Sequence, residues 1–410
     1  MTHGVQITPF ADQIISFLPS LWEQAGEEYL LKQSILGILS GMVQSMRQDS
    51  QKYFPLIIPL IHNSVEPNSE TRQYLLEEAL ELWTSLLEHT PQPCPADVIG
   101  LAPNLFPMFD SASNTLVQAL GITELYIYLI PQEMLSSSPQ LFSAWNPLLT
   151  SLKSSGVLRV TYVIELLLRQ AHALGGGSAM ERLSQALYEY NVINTLLLGL
   201  HHAHTAHQTT GPNRTPSDLD SQVETDYLSI LARLAITSPQ LLISILATFD
   251  TESGNAGADT LYWLLQEWFS HFDNLISPDR KKLSCLALTA LLNSTASVIV
   301  LKNLQSLMSV LTDIITELVD ADTGADCLIM WPRGEVSGDG EETVQESKAE
   351  ILKRELLLKD PVRKLDIKIY ARENLGAAIA RCGGQVAFRE QWLVNVDQDV
   401  IRAFGELGVL

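Results

Sequence analysis

The chain has 410 residues, 46% hydrophobic and 18% charged, a balance that excludes global disorder. Its net charge of −21, from 26 Lys+Arg against 47 Asp+Glu, argues against a general nucleic-acid binder, which needs cations to displace phosphate counterions. The same charge favours solubility and attraction to basic partners, and also fits an acidic protein that makes no functional use of it.

Leucine is abundant and strand-type alternation is scarce, so the expected class is all-α. In chain order, residues 9–22 form a helix with Phe10, Ile14, Phe17, Leu18 and Leu21 on one side. Residues 27–46 follow, with Leu30, Leu31, Ile35, Ile38, Leu39, Met42 and Met46 at helical spacing. Pro55 and Pro59 predict a kink in a helix over 51–62. The helix over 71–89 recurs through Leu75, Leu76, Ala79, Leu82, Trp83, Leu86 and Leu87, with Glu77, Glu78, Glu81 and Glu88 around the remainder. Further helices are expected over 96–109, 112–130, 139–152, 156–173, 179–200, 224–237, 239–249, 258–272 and 296–319.

The segment 277–293 reads as a complete helix. Ser277 suits the N-cap, Pro278 the first helical position and Asp279 the positive end of the dipole. Asn293 is a plausible stop in the left-handed conformation. Past Lys282 the segment is apolar on several faces, which predicts an inner helix packed between neighbours. Helix pairs begin near residues 9, 50, 95 and 138, steps of roughly 40 residues, the period of HEAT and armadillo units. An α-solenoid of degenerate HEAT-type helical hairpins is therefore expected, with a large helical bundle or globular α-domain as the alternative.

The expected organisation is a repeat array over 1–321, an acidic loop over 322–346 and C-terminal helical repeats over 347–410. Within the array, 205–222 has no apolar face and many turn formers, and is expected as a mobile surface loop. The acidic loop is expected to extend from the array. Trp331 beside Pro332 is either a docking anchor or a tuck of the loop base onto the core. A helical region over 348–368 is locally basic. Helices over 369–380 and 387–407 follow, separated by Gly383 and Gly384, with a break near Asn395 in the last.

Four scattered cysteines, Cys94, Cys285, Cys327 and Cys382, form no CxxC pair, which points to a reducing compartment and neither a zinc site nor a disulfide framework. The first residues lack the form of a secretory signal, and no stretch reaches the roughly 18 apolar residues of a membrane span.

Candidate chemistry is sparse. His201 and His204 share a helix face and His207 extends it, with His202 beside them, but no Cys or carboxylate stands at ligand spacing. A solvated His-rich helix end is the expected reading. Gly175, Gly176, Gly177 and Ser178 lack the GK[ST] ending of a phosphate loop and the context of a nucleophile elbow, so they read as a helix breaker. Glu77 and Glu78 read as a solvated helix face rather than an acid–base pair. No catalytic constellation is found, and no cofactor or metal is expected. The acidic loop remains the candidate interaction element: Asp339, Glu341, Glu342 and Glu346 can attract a basic ligand, or simply solvate a linker.

Five segments together resemble the C-terminal part of an importin-eleven-like karyopherin-β: EEYLLKQSILGILSGMVQSM (27–46), YLLEEALELW (74–83), SPDRKKLSCLALTALL (277–292), DTGADCLIM (322–330) and LLLKDPV (356–362). The acidic insertion followed by LLLKDPV is the most specific of these. The resemblance implies a HEAT-repeat superhelix that binds protein cargo noncovalently and carries it through nuclear pores. It also implies contacts with nucleoporins, release by the GTP-bound small GTPase Ran, and residence in nucleus and cytoplasm. It implies no enzymatic activity, no direct nucleic-acid binding and no membrane insertion. The different-class alternative is a HEAT-repeat scaffold without Ran. The family's main Ran-binding helices have no counterpart here, so the chain is expected to begin inside the solenoid. Such a start would expose an uncapped repeat face and favour self-association.

Overall fold

The computed structural model describes residues 8–110, 114–175, 177–209, 216–252, 259–320, 323–330 and 346–409. These residues are helical, apart from turns and one isolated bridge between Val319 and Asp326. They form two compact units, Met1–Leu152 with Gly340–Glu355, and Lys153–Asp339 with Leu356–Leu410.

The first unit contains α1 (Ala11–Gln24), α2 (Tyr29–Met46), α3 (Phe54–Val65), α4 (Arg72–Glu88), α5 (Ala96–Ile99), α6 (Leu116–Leu129), α7 (Pro131–Ser136) and α8 (Ser138–Ser151). Helices α2, α4 and α6 pack in succession, with α3 against α4. They start at Tyr29, Arg72 and Leu116, a spacing in the roughly 40–47-residue HEAT range. Each inner helix buries its apolar stripe on the next, which is how a repeat that cannot close a core alone gains one by stacking. Polar groups bind the layers too. The Trp83 indole N–H donates to the Tyr126 hydroxyl at 3.0 Å, which donates to the Val98 carbonyl at 2.7 Å. That chain joins α4, α6 and α5, and all its buried polar atoms find partners.

Two expected helices here take a different form. Over 96–109, α5 gives way after one turn to a 3-10 segment, Ala102–Met108, because Pro103 and Pro107 withhold backbone donors. Before α3 a 3-10 segment, Arg47–Tyr53, replaces regular helix, and Pro55 falls harmlessly in the first turn.

The second unit contains α9 (Ser154–Ala173), α10 (Gly177–Glu189), α11 (Val192–Gln208), α12 (Ser221–Thr237), α13 (Pro239–Glu252), α14 (Asp259–Ser270), α15 (Pro278–Leu291), α16 (Ser297–Leu301), α17 (Leu304–Leu318) and α18 (Cys327–Met330). It continues through the end of α19 (Lys348–Lys359), then α20 (Pro361–Lys364), α21 (Ile367–Arg381), α22 (Gln385–Gln391) and α23 (Gln398–Glu406). The inner layer runs α9, α12, α15, with α17 and α21 against α15, while α11 and α14 pack together beside it. Helix α12 is buried all round from Val223 to Ala235, and α15 from Lys282 to Leu291. The apolar circumference of α15 thus made it an inner helix, as its sequence predicts.

Its ends differ from expectation. Ser277 occupies the N-cap position, but its hydroxyl makes no capping bond; its carbonyl accepts from Arg280 and Lys281 instead. The helix stops at Leu291 in a turn, with no left-handed residue there. Asn293 uses its side chain to bond Asn374 and Arg381 on α21. The single helix expected over 179–200 is two, because Asn191 adopts φ +59°, a left-handed conformation that asparagine tolerates. Residues 296–319 likewise split into α16 and α17, 348–368 into α19 and α20, and the last stretch breaks at the 3-10 segment Leu393–Asn395.

Two segments expected to stand apart are bounded by helix where they are described. Of the expected loop 205–222, α11 extends to Gln208 and α12 begins at Ser221. The stretch expected to project from the array at 322–346 begins inside the core: Asp326 is buried against Lys282, its carboxylate 2.6 Å from the ammonium, with both side chains fully shielded. A charged side chain looked like a surface marker in sequence, but its partner 44 positions on lets it enter the core.

Candidate functional site

Of the four acidic candidates, Asp339, Glu341 and Glu342 lie outside the described residues, as do Trp331 and Pro332. Glu346 is described. It is exposed and held 2.6 Å from the Arg354 guanidinium one helical stretch on, so its charge is partly engaged by its own chain. Such an exposed pair is weak and leaves the carboxylate available to a competing cation.

Glu77 and Glu78 sit on an open groove of the first unit, lined also by Tyr29, Gln33, Glu70 and Arg72. Tyr29 and Tyr74 stack there at 4.1 Å, and the Gln33 amide donates to the Tyr74 carbonyl at 2.7 Å. The groove offers carboxylates and aromatic faces to solvent. Ser178 is exposed in the first turn of α10, and Gly175 at φ +125° marks the helix break read from the sequence.

The histidine-rich end of α11 differs most from expectation. His204 and His207 turn inward and meet a carboxylate that lies 60 or more residues away in sequence. His204 Nδ1 is 3.0 Å from Glu267 Oε2, and His207 Nδ1 is 2.7 Å from Glu267 Oε1. The Trp263 ring, one turn before Glu267 on α14, lies against the imidazoles of His201 and His204 at 5.0 and 5.8 Å. Glu224, in the first turn of α12, completes the cluster. Its Oε1 accepts from Ser217 at 3.3 Å, and its Oε2 lies 3.1 Å from His271 Nδ1. The His271 Nε2 donates to the Ser221 carbonyl at 2.9 Å. Burial disfavours the His271 imidazolium, but its contacts with Glu224 and the Ser221 carbonyl outweigh that and raise its pKa above the usual histidine value. Glu224 and Glu267 are both almost fully buried.

This cluster was invisible to a reading by sequence spacing. His204 and His207 stand at i,i+3 on one helix, but their carboxylates come from two other helices. One signal was present: Glu267 is the one charged residue in the largely apolar run LYWLLQEWF at 261–269, and an acid in an apolar helix needs a partner. The same signal marks Arg233 on α12. The four cysteines are free, and burial pushes the Cys285 thiol well up, in keeping with a small hydrophobe. No described helix is long and apolar enough to cross a membrane.

Helices stacked in succession around a buried inner layer define the class as an α-solenoid of HEAT-type hairpins. A solved structure of Lph2, described as a novel bidirectional nuclear transport receptor in S. cerevisiae, has the same fold. Its TM-score is 0.79 at 20% identity, covering 98% of this chain and 41% of that one. The family profile described as "Importin-11-like, TPR repeats" matches residues 33–409, and the chain belongs to this family. Mouse importin-11 is 29% identical over 409 residues, and the importin beta-like protein kap113 of Schizosaccharomyces pombe is 23% identical over 402. Each alignment takes in 98% of this chain but only 39% and 38% of the relative, so the chain spans about two fifths of the length of these relatives.

Proposed function

We propose that this chain is a segment of a nuclear transport receptor that binds protein cargo noncovalently, shuttles between cytoplasm and nucleus, and works without catalysis. The observation that carries the reading is the importin-11-like match across residues 33–409, joined to the transport-receptor fold over 98% of the chain. Ran-regulated release and nucleoporin contacts are assigned to the whole receptor. The physical basis is a stacked-helix surface with excess negative charge, which attracts cargo carrying basic patches and speeds encounter.

The discriminating experiment is a pull-down with GTP-locked Ran, using the chain extended with the additional repeats of a full-length receptor. Ran-sensitive release of cargo is expected. An extended chain that ignores Ran would instead make this a HEAT-repeat scaffold that assembles a complex.

Within that reading, Asp339, Glu341, Glu342 and Glu346 supply part of the attraction. Replacing all four with the corresponding amides is expected to weaken binding of a lysine-rich cargo peptide several-fold at low salt. The effect should shrink as ionic strength rises and the Debye length falls below about 10 Å. Fluorescence anisotropy titrations at two salt concentrations check this; equal affinities at low salt would reduce the segment to a linker.

A further inference from the structure

We propose that His207, Glu224 and Glu267 form a binding site for one divalent transition-metal ion, best suited to Zn2+, with His204 orienting Glu267. Each of the three ligands offers one donor atom, and these atoms lie within 4.8 Å of one another. A tetrahedral zinc with bonds of about 2.0–2.2 Å needs its donors roughly 3.4 Å apart, so a side-chain adjustment of an ångström or so closes the set.

Three independent features point to a cation. First, two carboxylates are buried side by side, Glu224 at 1% and Glu267 at 2% exposure. Among the described residues their ion-pair partners are all histidines, with no Lys or Arg. Neighbouring anions in a poorly solvated site repel strongly, and a doubly charged cation compensates both at once. Second, Glu224 Oε2 is buried with no aligned hydrogen-bond donor, even though His271 Nδ1 lies 3.1 Å from it. Buried carboxylate oxygens without an aligned hydrogen bond are rare, and this one keeps lone-pair capacity beside its contact with His271. Third, the supporting contacts resemble those around metal sites. The His204 imidazole bonds the oxygen of Glu267 that His207 does not, Ser217 bonds the other oxygen of Glu224, and Trp263 packs on His204. Such outer contacts fix the direction of ligand atoms.

The ligands sit on three helices, α11, α12 and α14, which hold them more rigidly than loops would. His207 is the only ligand with substantial exposure, 35% of its side chain, and so provides the entry path and room for a water as fourth ligand. One nitrogen and two carboxylate oxygens suit a first-row ion such as zinc better than Mg2+, which favours octahedral oxygen and retains its waters. Ligation through the His207 Nδ1 now directed at Glu267 uses the neutral tautomer that carries its hydrogen on Nε2 and leaves the Nδ1 lone pair for the metal.

The test uses the full 410-residue chain, stripped with chelator and titrated with ZnCl2 alone by calorimetry, with bound metal counted after dialysis. One equivalent is expected, together with a rise in Tm. Loading with Co2+ is expected to give visible d–d bands without thiolate charge transfer, which separates this site from the cysteines. H207A is expected to lower zinc affinity at least about tenfold, and H207Q to do the same while keeping a polar side chain at the helix end. H202A, which removes an exposed neighbour, is expected to change nothing. No zinc uptake by the wild-type chain would overturn the site. So would uptake that survives both H207A and H207Q with wild-type helicity, or that is lost equally in H202A.

Discussion

Replacing Asp326 with alanine is expected to destabilise the second unit by about 3–5 kcal/mol, the cost of leaving one member of a buried ion pair behind. The ammonium of Lys282 lies within the inner helix α15, 2.6 Å from Asp326 and with no solvent exposure. Burial pulls its pKa down, and the attraction of Asp326, with a smaller contribution from Asp366, opposes that shift. Asp326 also accepts from the Leu328 N–H at 3.0 Å and the Ile367 N–H at 3.3 Å. One carboxylate thus ties α15 to the starts of α18 and α21. Urea denaturation followed by tryptophan fluorescence checks the loss. The double variant K282M/D326N removes both charges and retains an acceptor for Leu328, so it is expected to recover most of the stability. A double variant as weak as D326A would show that packing, not charge, is responsible.

The second large effect is expected at Asp360. Its Oδ1 accepts from Arg233 Nη1 at 2.7 Å and from the Val362 N–H at 3.0 Å, and its Oδ2 lies 2.9 Å from Arg169 Nε. Arg233 in turn donates through Nε and Nη2 to Glu165 at 3.1 and 3.0 Å. Two cations and two anions therefore balance among α9, α12 and the N-terminus of α20. D360N preserves the shape but leaves two arginines facing one carboxylate, with an expected cost of about 3–5 kcal/mol. Burial pushes the Asp360 carboxyl up, but Arg233 and Arg169 pull it further down, so it lies below the usual aspartate value. A depressed folded-state pKa contributes stability that is fully present above the unfolded value, near 3.9, and is lost as pH falls through the lower folded value. Wild-type Tm is therefore expected to fall on acidification below about pH 4 more steeply than that of D360N. Parallel acid limbs would remove the charge network as the cause.

The two networks and the histidine–glutamate cluster share a physical logic. Inner helices of a stacked array meet neighbours on every side, so any charge they carry must find its counter-charge within the core. On α12 this applies to Glu224, Asp226 and Arg233, all buried, and Asp226 is met by Arg280 and by the Thr161 hydroxyl at 2.6 Å. These pairs join helices distant in sequence and so specify which helix lies beside which. That role needs no large net gain in stability.

Local sequence determined the helical class, the roughly 40-residue rhythm and the burial of α15, because leucine spacing and helix breakers act within a few residues. Pro103, Pro107 and Asn191 carried the information for the altered helices over 96–109 and 179–200, although propensity alone does not weigh a proline in sequence against its register in a turn. The family resemblance was also legible in the five quoted segments, and the importin-11-like match extends it over residues 33–409. Only the tertiary structure decided which charges were internal. Lys282 and Asp326, Arg233 and Asp360, and His207 with Glu224 and Glu267 lie on different elements of the chain, and no periodicity links them. Their meeting depends on the order in which inner helices stack, which is fixed by summed apolar burial across the array and not by any one helix.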